Sequence, residues 1–399
     1  MIKSVFKWCA IVLLGVPFSL YILLVLINLS SDEEKSPLVL EYENFLAEKS
    51  KIDPKDNAFV YFMGITARPE DDFYEVGLER VKDRTKRLDT IESISEKMPI
   101  YDDHIKMAPT LNTILTYDTC SFSNSIEERC IQILDEKQGE IKNLLEENKL
   151  FLERYQTILN LKHMYEIHPK NTVKYSGLAY QTIFTLHRLN MLDILYEITN
   201  NPNVKLETIR VRLEQEGKFI RNYLSTSNTM ISKMIAIGLT KEYFNWTAFI
   251  LSEIQKNHNQ NISITNLTSP LTEAELSFDT TLIGEWQFAR GIFDYGFVGG
   301  EQNILINYFL IEPFYKRQST LNLYAETMRS SFKKITGEEP QTINKSPCNQ
   351  AFINSLGWYS FNPIGKIFSC VGDTVWEDYF DRTDKLQETQ RNTIEYAIK

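Results

Sequence analysis

Residues 8–28 read WCAIVLLGVPFSLYILLVLIN, an uncharged and almost wholly apolar run of 21 residues. At about 1.5 Å of rise per residue, a helix of this length covers the roughly 30 Å hydrocarbon core of a bilayer. The run therefore predicts a single transmembrane helix over residues 8–29, with the membrane itself as the first partner of the chain.

Working outward, Lys3 and Lys7 form a basic N-terminal flank, while Asp32, Glu33 and Glu34 follow the run. A cleaved signal would also accept the lysines. Its apolar core spans only about 7–15 residues and ends in a small-x-small site, whereas this run is longer and leaves through Leu26, Ile27, Asn28 and Leu29. A retained anchor is the expectation. Cys9 starts the helix instead of following it, which does not fit a lipidated cysteine, and Pro17 sits mid-span, where a kink is expected. By the excess of lysine on the N-terminal side, residues 1–7 are expected in the cytoplasm and everything after residue 29 outside it.

Four cysteines lie beyond the anchor: Cys120, Cys130, Cys348 and Cys370. An even number in an oxidising compartment suggests disulfides, and their clustering suggests Cys120 with Cys130 and Cys348 with Cys370, although four cysteines allow three connectivities. Unpaired core cysteines are the alternative. No Cys-x-x-Cys or Cys-x-x-His spacing occurs and the histidines are scattered, so neither a metal nor any other cofactor is expected.

The net charge is −10, and −12 once Lys3 and Lys7 are set aside. Such a surface repels phosphate backbones, so nucleic acid is not an expected partner, and it argues against a polybasic membrane-surface module. Abundant Phe and Tyr give a globular composition, not that of a disordered stalk.

Periodicity beyond the anchor reads as helix nearly throughout, so the fold class is mainly α: one N-terminal transmembrane helix and an irregular multi-helix extracytoplasmic domain. Residues 38–49 form a first helix, and the apolar run 57–65 is ambiguous between strand and buried helix. Pro69 starts a helix with Glu70, Asp71 and Asp72 in its first turn and Lys82, Arg84, Lys86 and Arg87 in its last turns. Residues 126–163 form one long amphipathic element in which Ile141, Leu145, Asn148, Leu152, Tyr155 and Leu159 make a packing seam, for a coiled-coil partner or for a neighbour in the same domain. Further helices are expected over 172–199, 205–224, 227–257, 271–295 and 302–335 and less regularly to the end. The polar loop 258–270 is the best boundary between helical subdomains 30–257 and 271–399, which also read as one domain.

Within this body, Glu273, Glu275, Asp279 and Glu285 form the first constellation. Glu275 and Asp279 are four apart and share a helix face, and glycoside hydrolysis needs paired carboxylates. Helix-dipole placement and a Thr272 cap explain most of the group; Glu285, between Gly284 and Trp286, is least explained in that way. Lys233 lies in the apolar stretch 230–239 (MISKMIAIGL). A buried lysine can act as a base, but no Ser-x-x-Lys spacing occurs, and snorkelling or pairing with a carboxylate is the expected role. Gly296, Gly299 and Gly300 lack the ending of a phosphate loop and read as a bend.

NAFVYFMGI at 57–65, NYFLIEPFYKRQSTLN at 307–322 and FNPIGKIF at 361–368, taken with the anchor, resemble a family of single-pass inner-membrane proteins of Gram-negative bacteria with no established activity. The resemblance covers most of the chain and implies an inner-membrane address with the periplasm as the outward compartment. It carries over no functional residue. The expected function is a non-enzymatic, membrane-anchored, protein-binding factor of the envelope, of an inhibitor or immunity type. The alternative is an enzyme cleaving cell-wall glycan with the carboxylates around Glu285.

Overall fold

Capping chemistry sets the helix boundaries of the N-terminal third. The computed structural model describes residues 14–90, 138–168, 180–295, 307–335, 357–370 and 377–398. Its first helix, α1, is Val16–Asn28, with Pro17 in its first turn and the π-helical residues Leu14 and Gly15 directly before it, so the kink expected at Pro17 falls at the edge of the described part of the run. Among the described residues no helix is long and apolar enough to cross a membrane, and residues 8–13 of the apolar run lie outside them.

Helix α2, Pro37–Lys49, starts where the Ser36 hydroxyl accepts the Val39 N–H at 3.3 Å. The ambiguous run at 57–65 is a helix: α3, Ala58–Gly64, is capped by Asn57 Oδ1, which accepts the Phe59 N–H. Helix α4, Phe73–Thr90, begins four residues later than the sequence pattern indicates. Asp72 Oδ1 accepts the Tyr74 N–H at 2.8 Å, so Glu70, Asp71 and Asp72 precede the helix and do not form its first turn.

The long element predicted over 126–163 is broken. Its described part forms α5, Gln138–Glu147, and α6, Lys149–Leu159, with Asn148 between them at φ −101°. The Asn148 amide is turned back onto the Leu144 carbonyl at 2.8 Å, so it serves the break and fixes no register with a second helix. The seam residues Ile141, Leu145, Tyr155 and Leu159 join the main core, which is the intramolecular outcome.

The body is organised on α9, Met230–His258, whose 29 residues extend about 44 Å. A capping box of Thr229 and Ser232 opens it, and Asn259 in the left-handed region closes it. Against it pack α7, Tyr180–Asn200, and α8, Leu206–Thr226, together with α12, Asp279–Tyr295, and α15, Glu377–Ile398. Between α9 and α12 lie two short helices, α10 at Thr265–Thr268 and α11 at Glu273–Leu276. One apolar cluster runs from Val39 to Leu386 and takes in residues on both sides of the loop 258–270. The described residues hold no strand, only an isolated parallel bridge between Asn57 and His163.

The expected helix 302–335 starts late as well. A π-helical turn at Asn307–Ile311 and a 3-10 turn at Glu312–Phe314 precede α13, Arg317–Ile335. Pro313 restricts the residue before it and offers no N–H, which ends regular helix there. The cap of α13 arrives from the other end of the chain. Asp32 accepts the N–H groups of Gln318 at 2.7 Å and Ser319 at 3.0 Å. Ser319 donates to Glu33, and the Asn322 amide bridges Glu33, the Glu34 carbonyl and the Ser36 N–H. Beside them, buried Asn28 donates to the Ser360 carbonyl and accepts the Asn362 N–H, both at 2.7 Å, just before α14, Pro363–Cys370. The acidic exit of the apolar run is thus built into the domain.

Helices α3 and α4 cross at backbone contact distance. A Cβ on Gly64 would lie 1.8 Å from the Phe73 carbonyl oxygen, and one on Gly77 2.0 Å from that of Val60. Gly64→Ala or Gly77→Ala should therefore force the helices apart and cost about 1–3 kcal/mol or more. Chemical unfolding measures this, with Gly139→Ala, where nothing lies within 4 Å, as the control that leaves stability unchanged or raises it by up to about 1 kcal/mol.

Candidate functional site

The five ionisable side chains singled out in the sequence fall on three elements around the start of α9. Glu275 and Asp279 do not share a face, because Glu275 belongs to α11 and Asp279 to the first turn of α12. Asp279 is exposed and bonds to the Ser277 hydroxyl. Glu273 is exposed in the first turn of α11, and paired carboxylates poised over a common bond are not formed here.

Glu275 is buried and fully engaged. With Thr272 it forms the capping box of α11, and its two oxygens receive a bidentate bond from Arg221 at 2.6 and 2.8 Å. The same guanidinium donates to the carbonyls of Asn266, Ser269 and Pro270, which pins the polar loop before α11 onto α8. Although burial pushes the Glu275 carboxyl up, Arg221 and Thr272 outweigh it and hold the carboxylate below its usual range.

Lys233 is 1% exposed and neither snorkels nor pairs with a carboxylate through its ammonium. Its Nζ donates to the Leu224 carbonyl and to the Glu275 carbonyl, both at 2.7 Å, and stands 5.2 Å from the centre of the Phe278 ring. Those carbonyls lie in the last turns of α8 and α11, where helices leave acceptors without internal partners. Lys233 is thus a cap for two helix C-termini at once. Burial lowers its pKa to about 7, against the smaller opposing influence of Glu275.

Glu285, on α12, accepts the Met230 N–H at 2.6 Å, one of the orphan donors at the N-terminus of α9. It is half-buried, and burial pushes its carboxyl up. Asp279 sits six residues earlier on the same helix, about 9 Å along the axis and about 120° round it. Neither of two surface grooves, of about 490 Å³ along α4 and about 500 Å³ between α5, α6 and Arg212, is lined by Lys233, Glu275, Asp279 or Glu285.

A second buried centre was not indicated by the sequence pattern. Glu216, fully buried on α8, accepts from the Tyr155 hydroxyl, His187 Nδ1 and the Asn190 amide, each at 2.7 Å. Gln156 and Arg212 donate in turn to Asn190 Oδ1, and Arg212 continues to Asp193 and Glu197. The only signal in the sequence was His187 and Asn190, three apart on an otherwise apolar helix face. His187 Nε2 is buried without a hydrogen-bond partner, and both His187 and Glu216 are sealed from solvent. The centre ties α6, α7 and α8 together.

Cys370 is disulfide-bonded, while Cys120, Cys130 and Cys348 lie outside the described residues, as does the glycine cluster at 296–300. No group of three His, Cys, Asp or Glu among the described residues could hold a metal ion.

The Lys233 linkage gives a test. An unfolded lysine keeps its proton to about pH 10.4, whereas the folded one loses it near 7. Between these values the unfolded state binds the extra proton, so this group makes stability rise with pH across that window. The stability of wild type relative to Lys233→Met, from urea unfolding at pH 7 and pH 9.5, should therefore increase with pH. A difference that does not change with pH would mean that Lys233 titrates normally.

No protein-family model matches the chain, and neither a curated protein nor a solved structure matches it.

Proposed function

We propose that this chain is a single-pass membrane protein whose helical domain, held outside the cytoplasm, binds another protein of the envelope in the manner of an inhibitor or immunity factor. One observation carries the reading: Lys233, Glu275 and Glu285 are each bonded to helix ends, which leaves them structural work instead of acid or base chemistry. The anchor is supported by α1, which is apolar all round and exposes Val16, Phe18, Leu20, Leu23 and Leu26. A helix apolar on all sides belongs in a protein core or a bilayer. The resemblance to single-pass inner-membrane proteins of Gram-negative bacteria fits the same address, and two of its three stretches, 307–322 and 361–368, contribute to the clamp on Asn28 and Asp32. The pairings of Cys120 with Cys130 and of Cys348 with Cys370 belong to this reading of an oxidising compartment.

One feature favours the glycan-cleaving alternative: the carboxyl of Glu285 is raised, as a general acid requires. Glu285→Gln separates the two. The amide oxygen still accepts the Met230 N–H, so the melting temperature should stay within a few degrees of wild type. A binding factor should still complement a deletion strain and yield a crosslinked partner. A folded variant that fails to complement, with wild type releasing fragments from purified cell wall, would establish the enzyme instead.

The topology has its own test. Alkaline phosphatase fused after residue 60 should be active, since that enzyme matures only outside the cytoplasm, and an inactive fusion with a working cytoplasmic reporter at the same junction would reverse the orientation.

A further inference from the structure

We propose that the helical body seats on the lipid bilayer beside its anchor, through an apolar surface formed by Tyr308 and Phe309 and by Ile367 and Phe368. The inference rests on the reading of α1 as a membrane anchor and adds a second, interfacial attachment.

Helix α1 and the π-helical turn at Asn307–Ile311 are locked in register. The Tyr21 hydroxyl donates to the Phe309 carbonyl at 2.9 Å, and the Tyr21 ring meets Phe314 edge-on with centroids 5.6 Å apart. Tyr21 lies seven residues before Asn28, roughly 10 Å of helix rise toward the middle of the apolar run. A chain whose α1 enters the bilayer up to Asn28 must therefore carry the 307–314 turns about 10 Å past that level, into the headgroup–acyl boundary. Tyr308 is 63% exposed and Phe309 50% exposed, large rings that water does not favour and that headgroup regions do.

Helix α14 adjoins the same clamp through Asn362 and has its amphipathicity inverted. Its small residues face inward, where Ser369 donates to the Thr320 carbonyl and a Cβ on Gly365 would lie 1.9 Å from the Thr320 hydroxyl. Its large apolar residues face outward, with Ile367 52% and Phe368 37% exposed. A short helix that buries its small face against protein and shows its large apolar face outward is suited to lie in a membrane interface. Lys316, whose Nζ bonds the Ser30 carbonyl, places a cation beside the exit of α1, the level of lipid phosphates.

The full chain, reconstituted into phosphatidylethanolamine–phosphatidylglycerol vesicles containing a phospholipid with a diazirine in its acyl chain, tests this by photolabelling and peptide mass spectrometry. Adducts are expected on α1, on residues 307–311 and on residues 363–370, and not on α4. Adducts on α1 alone would overturn the seat and leave the anchor standing; no adducts on α1 would overturn the anchor and the seat with it. Ile367→Glu combined with Phe368→Glu should abolish labelling of 363–370 while α1 stays labelled. Undiminished labelling at 363–370 in that variant, or equal labelling of α4, would also overturn the seat.

Discussion

Helix ends inside a protein must find partners, and in this chain that requirement governs how the elements are joined. Each helix leaves four N–H groups and four carbonyls without intrahelical bonds, and burying one unpaired costs about 1–3 kcal/mol. Short polar loops serve many proteins for this purpose. Here long side chains from other elements do so: Asp32 for α13, Glu285 for α9, Glu214 for α10 and Lys233 for both α8 and α11. Arg221 extends the same solution to the carbonyls before α11, and brings Glu275 in as its counter-charge. Two cations and one carboxylate then share a volume from which water is excluded, so removing any one leaves a buried charge or an orphaned carbonyl. The architecture is held by these cross-element caps as much as by the apolar cluster around α9.

This explains what the sequence made legible and what it did not. Helical periodicity identified α2, α8 and α9 and the end of α7 closely, because each carries an apolar face of its own. Local capping motifs, such as Thr272 with Glu275, were equally visible, since both partners lie within one turn. The roles of Lys233 and Glu285 were not, because their partners stand 9, 42 and 55 positions away. Periodicity also ran through Asn148, where the heptad pattern persists although the backbone turns. The start of α4 was misplaced for a related reason: Pro69 and three acids look like a helix opening, but Asp72 alone accepts the first N–H groups. Glu216 was hidden among the charges of an amphipathic helix, and only its three donors distinguish it from a solvated neighbour.

Charges of both signs are spent internally, which leaves their balance at the surface nearly unchanged. Arg154 wraps the carbonyls of Ile65, Ala67 and Arg68, Arg221 those before α11, and Lys233 those of two helix ends. The buried carboxylates Glu166, Glu216, Glu253 and Glu275 offset the buried Arg84, Arg154, Arg221 and Lys233, so the solvent meets a body about as acidic as the net charge of −10 indicates. A partner that approaches from solution is favoured if it is basic, and its association rate should fall as salt rises.

The clamp at the base of α1 also sets an order of events during biosynthesis. Asn28 cannot meet Asn362 until 334 further residues have been made, and Asp32 must wait 286 for Gln318. At about 5–20 residues per second, the interval is on the order of tens of seconds. Throughout it the apolar segment can act only as a loose tether, free to swivel relative to the growing domain. Rigidity at the base arrives late and in two stages, first when residues 309–322 meet α1 and its acidic exit, and then when Asn362 meets Asn28. On the proposed membrane address, a nascent chain stalled before residue 318 would be attached but unaligned, a natural point for quality control to recognise it.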